Sequence, residues 1–214
     1  MPKRRTPGRH VLGLAAFCLA AACGSVSAAP PPTPLEAANF ERISTSAEID
    51  AYLDTIAAAV PFARKVAVGK SVEGRAIDAL EFTDPDGQHD GERLKLMIIG
   101  SQHGAAEPAG GEALLVIARD LAFGDLKPLL DQADVVLLPN ANPDGRDLGR
   151  RANANWININ IDFVLAAQAE TRVLKQALEQ FQPDALLDSH ESAILKRKTL
   201  AKDGYLTDFN AQFE

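Results

Sequence analysis

The chain has 214 residues, 24% of them charged and 46% hydrophobic, the proportions of a globular domain with a sizeable core rather than of a disordered or fibrous protein. Asp and Glu outnumber Lys and Arg by 29 to 22, which argues against a nucleic-acid partner. Lys3, Arg4, Arg5 and Arg9 all stand before residue 29, so the remainder is more acidic still.

Residues 1–29 read as an export signal: a basic PKRRTPGR segment, an apolar run from Val11 to Ala22, then Ser27, Ala28 and Ala29 before Pro30. The run is shorter than the roughly 20 residues of a membrane span. The expectation is therefore an exported protein, periplasmic or extracellular, with no stable membrane span; the alternative is a lipoprotein anchored at Cys23, where AAAC ends. Cys18 and Cys23 both lie in this segment, which excludes disulfides and thiolate metal sites from the rest of the chain. Any metal there must be held by His and carboxylates.

Residues 30–40, opening PPPTPL, read as a stiff Pro-rich linker ahead of a domain over 41–214. Thr45 to Glu48 has the form of a capping box, and Ile49, Leu53, Ile56 and Val60 follow at helical spacing, so a helix is expected over 46–60, ended by Pro61. Lys65 to Lys70 and Ala76 to Thr83 read as a hairpin joined by SVEGR. A buried strand is expected over 94–100 (LKLMIIG) and a helix over 110–121. Another strand is expected over 135–138, a helix over 164–181, and a third apolar strand over 185–187, entering Asp188. Strands alternating with helices predict an α/β three-layer sandwich with a mixed, largely parallel sheet.

In such sheets, ligands gather at the carboxyl ends of strands. Three polar segments stand there: SQHGAAEP, NANPDG and DSHES. His89 lies in a polar loop, whereas His103 and His190 each follow a buried strand. Pro108 suits a first helical turn and puts Glu107 at an N-cap, so Glu107 is either a helix-dipole acid or a ligand. Two His and one Glu form the set that holds a catalytic zinc while leaving a position open. On spacing alone, both readings stand.

Five motifs in order resemble the M14-type zinc metallocarboxypeptidase family. They are SVEGR, IGSQHGAAEPAGGEALL, LPNANPDG, RRANANWININIDF and QPDALLDSHES, together spanning about residues 65–192. The resemblance implies a zinc peptidase with His103, Glu107 and His190 as metal ligands and Arg151 as the donor to the oxyanion. Its register to Asn153 selects Arg151 over Arg150. The resemblance also makes Asn160 and Asn142 substrate-binding residues, with 142–145 as a supporting turn. The implied substrate is an exported or cell-wall peptide; the alternatives are a zinc deacylase or esterase on the same scaffold, or an inactive peptide-binding fragment.

Three positions depart from the family pattern. Three residues, not two, separate His103 from Glu107; Ile161 stands where an Arg pairs with a terminal carboxylate; and Asn158 replaces the Asp that orients the first zinc His. The sheet is expected to be incomplete at its C-terminal side, with the general base beyond Glu214 rather than at Glu191, and the activity of these 214 residues alone is left open.

Overall fold

The computed structural model describes residues 29–83 and 93–191. All of the expected export signal but Ala29, Cys23 included, lies outside them, as do His89 and Glu214. Five strands form one mixed sheet: β1 (Ala63–Lys70), β2 (Ala76–Phe82), β3 (Leu94–Gly100), β4 (Ala133–Leu138) and β5 (Ala185–Ser189). Their order is β1-β2-β4-β3-β5. β1 and β2 make the antiparallel hairpin, β2 is antiparallel to β4, and β3 runs parallel to both β4 and β5.

Alternation along the strands builds two cores. Leu80, Phe82, Ile98, Val135 and Leu137 face helices α2 (Ser46–Ala59) and α3 (Ala109–Phe123), while Ile77, Ala79, Met97, Ile99, Val136 and Leu138 face α5 (Ala169–Phe181). Helices α1 (Pro34–Ala37) and α4 (Pro143–Asp147) are single turns between these larger pieces. The three-layer α/β sandwich is thus the one expected.

The helices start where side chains satisfy their first N–H groups. Thr45 and Glu48 close the capping box of α2, and its buried face carries Ile49, Leu53 and Ile56. α3 comes close to the strand ends because Gly111 has no side chain; a β-carbon there would strike Ser101 Oγ and the Pro139 carbonyl.

Three expectations are corrected. The 30–40 stretch is no free linker: Thr33 is buried and caps α1, Glu36 pairs with Arg119 of α3 at 2.5 Å, and Tyr52 donates its hydroxyl to the Pro31 carbonyl. The helix expected from 164 begins only at Ala169. Asp162 accepts the N–H groups of Ala167 (3.2 Å) and Gln168 (2.8 Å), and Ala166 takes φ 49, so the chain turns before the helix can start. The N-cap of α3 is Pro108 rather than Glu107, which ends a preceding 3-10 turn.

Candidate metal centre

β3 and β5 are parallel neighbours in register Gly100 to Ser189, so their carboxyl ends lie side by side. His103 leaves one end and His190 the other, and their rings stand 4.9 Å apart between centroids. Between the strand and α3 the chain makes a 3-10 turn over Gly104–Ala106 that takes up the additional residue before Glu107. That turn requires φ 51 at Gly104, a conformation open to glycine. Donor atoms of His103, Glu107 and His190 all lie within 4.8 Å of one another.

Arg151 reaches the same group of residues. Its Nη1 donates to Glu107 Oε1, and its Nη2 lies 2.8 Å from His103 Nε2. Arg150 does not join it: its guanidinium stacks 4.1 Å over the Trp156 ring and donates to the Ala154 carbonyl.

Glu107 also receives His190 Nδ1 at 3.0 Å and the Glu191 N–H at 3.2 Å. Burial pushes its carboxyl pKa up, but the hydrogen bonds from Arg151 and His190 outweigh this and hold it below the ordinary value. Burial drives His103 down to about 4, helped by the positive Arg151 and His190 and opposed by Glu107. Asp188, 2.9 Å from His190 Nε2, raises His190 to about 9. Without metal, then, His103 is neutral and His190 is an imidazolium held by two carboxylates.

The donor set fits zinc. It offers two imidazoles and a carboxylate and no thiolate, and His103 Nδ1 is a buried nitrogen that no protein group satisfies. Among the described residues, no carboxylate other than Glu107 and Asp188 hydrogen-bonds to either histidine.

Asn142 is corrected from substrate contact to support. It is completely buried, its Oδ1 caps α4 by accepting the Gly145 N–H, and its Nδ2 donates to the carbonyls of Gln102 (3.1 Å) and Arg151 (3.3 Å). It therefore holds the His103 loop and the Arg151 segment together. Asn160 is exposed on the turn Ile159–Ile161 and makes no hydrogen bond to the metal group, and the Asn158 side chain accepts from the Asn160 N–H. Sequence reasoning missed Gln102 and Asp188, whose side chains meet each other beside His190. The i, i+2 spacing of Asp188 and His190 on one strand was the available signal.

The family description "zinc carboxypeptidase" matches residues 49–163, a range that contains His103, Glu107 and Arg151 and stops short of His190. Carboxypeptidase E of Caenorhabditis elegans is 32% identical over 114 residues, 45% of this chain and 24% of that protein. Carboxypeptidase 2 of Trichophyton rubrum is 35% identical over 101 residues, 46% of this chain and 19% of that protein. The crystal structure of a metallo-carboxypeptidase from Burkholderia cenocepacia aligns with a TM-score of 0.61 at 26% identity, covering 71% of this chain and 42% of that one. The matches thus span a quarter or less of these two curated relatives.

Proposed function

This chain belongs to the zinc carboxypeptidase family, and from that premise we propose that it supplies the metal-binding part of a peptidase active site, with His103, Glu107 and His190 as the protein ligands. The observation that carries this reading is the convergence of their donor atoms within 4.8 Å beside Arg151. Zinc supplies Lewis acidity for a scissile carbonyl and lowers the pKa of a water.

The remaining work belongs to side chains. The Arg151 side chain is 49% exposed, so its guanidinium can turn from Glu107 and His103 to a substrate carbonyl as that oxygen gains charge. A fixed donor there is worth about 3 kcal/mol in the transition state. Asn160, exposed on its turn, is assigned to the substrate backbone. The resemblance assigns the proton transfer to a Glu, and none of the described residues is given that role.

The substrates in this reading are exported or cell-wall peptides, in keeping with the basic and apolar N-terminal segment; a lipid anchor at Cys23 is the alternative to free export. Among the described residues, no helix is long and apolar enough to cross a membrane. Ile161 is 76% exposed where the resemblance expects an Arg, so the site offers no cation at that position for a free terminal carboxylate. This observation also favours the second reading, a deacylase or esterase on the same scaffold.

The test is zinc content together with chelator-sensitive hydrolysis of matched peptides bearing free or amidated C-termini, and of N-acyl amines. Comparable rates on acid and amide peptides support the reading. Strict dependence on a free carboxylate refutes the inference from Ile161, cleavage of N-acyl amines alone moves the assignment to a deacylase, and absence of zinc ends both.

A further inference from the structure

We propose that Asp188, itself held by Gln102, is a positioning residue that orients His190 so that its Nδ1 is the nitrogen presented to the metal. The inference rests on His190 being a ligand. Asp188 is the last residue but one of β5 and His190 follows directly after the strand, two residues on, the spacing that puts side chains on one side of an extended chain. Asp188 Oδ2 lies 2.9 Å from His190 Nε2, and the same oxygen accepts the side-chain N–H of Gln102. Gln102 is buried next to His103, and its carbonyl is in turn held by Asn142 at 3.1 Å. One polar contact therefore ties the strand end that carries His103 to the one that carries His190.

The consequence for the imidazole is specific. A carboxylate at Nε2 keeps a proton on that nitrogen, so the position open to exchange a proton for a cation is Nδ1, which faces Glu107 at 3.0 Å within the donor group. The same hydrogen bond makes the ring a stronger donor to a cation. Stability alone does not explain Asp188. Its Oδ1 is buried without a partner, and so is Gln102 Oε1; unsatisfied buried oxygens cost stability.

The experiment is zinc affinity of the 214-residue chain, measured near neutral pH by competition with a chromophoric chelator, for the wild type and for Asp188→Asn, Asp188→Ala and His190→Ala. Asp188→Ala is expected to weaken binding about 10- to 100-fold, and Asp188→Asn, which keeps the shape but not the charge, about tenfold. Side-chain nitrogen NMR of the zinc-loaded wild type should show His190 protonated at Nε2 and bound through Nδ1, a readout that stands even if a variant does not fold. Wild-type affinity within twofold in both Asp188 variants, or coordination through Nε2, overturns the inference while leaving His190 a ligand. A wild type that binds no zinc, or His190→Ala binding as tightly as the wild type, overturns the ligand assignment itself.

Discussion

Gly104 lies so close to Gly145 that a β-carbon on it would stand 2.5 Å from the Gly145 carbonyl carbon, with the Arg146 nitrogen and the Arg150 carbonyl oxygen each 2.7 Å away. The turn that takes up the additional residue before Glu107 is pressed against the segment leading to Arg151. Gly104→Ala should therefore cost on the order of 3 kcal/mol, from a strained φ plus a backbone clash. Gly74 has φ 83 but nothing within 4 Å, so Gly74→Ala should cost only about 1 kcal/mol. Calorimetric midpoints separate the two effects; equal losses would show that crowding at Gly104 contributes nothing.

Zinc should stabilise the fold, because its three ligands come from two strand ends that the unfolded chain does not hold together. At free zinc a hundredfold above Kd, the gain is about 2.7 kcal/mol. Thermal shift with and without a chelator reads it. In His190→Ala the shift should shrink to nearly nothing, and a shift of wild-type size would mean that zinc binds elsewhere.

Much of this was legible from local signals. The Thr45 and Glu48 capping box and the Leu94–Gly100 run each marked an element to within a residue or two, and the two histidines stood out because each follows an apolar strand. Other features depend on partners distant in the chain. Asn142 and Pro143 mark the start of a turn locally, but nothing within Pro143–Asp147 announces that Asp144 accepts from Ser71 and Arg146 donates to Ser44. Asp188 and Gln102 acquire a role only once β5 lies beside β3.

For the proposed peptidase activity, Arg151→Ala should lower kcat about 10²- to 10³-fold with little change in KM, the signature of a donor engaged mainly in the transition state. Arg150→Ala removes a stack on Trp156 and should leave kcat within a few-fold. Steady-state kinetics of both variants decide the register, and the reverse ranking would move the oxyanion role to Arg150.

Lys65 gathers three acids, Asp50, Asp54 at 3.0 Å and Asp78 at 3.4 Å. Burial and a hydrogen bond with Asp50 push Asp78 up to about 6, against the pull of Lys65. Because this folded value exceeds the unfolded one of about 4, the folded state binds the proton more tightly. The Asp78 contribution to stability is then largest below about pH 4 and falls as pH rises toward 6, by on the order of 2 kcal/mol. Denaturant unfolding at several pH values should show that slope reduced in Asp78→Asn. An unchanged slope would assign the titration to another group.

Arg146 is buried with Glu112, 2.8 Å from it, and also donates to Ser101 Oγ and the Ser44 carbonyl. Arg146→Met should cost about 3–5 kcal/mol by stranding the carboxylate. Adding Glu112→Leu should recover part of that loss in urea unfolding; additive losses would show that the two residues do not act as a pair.

α4 is only five residues long, yet the hairpin reaches it through Ser71 and Arg75, the start of α2 through Ser46, and the His103 loop through the Gln102 carbonyl on Asn142. So short a helix does not persist alone, and most of its partners stand 70 or more positions away in sequence. The turn between the His103 loop and Arg151 therefore closes late during refolding, after the segments that grip it have arrived. A chain followed from denaturant should regain helical circular dichroism before it can capture zinc, with the interval between the two signals reporting the time α4 takes to find its neighbours.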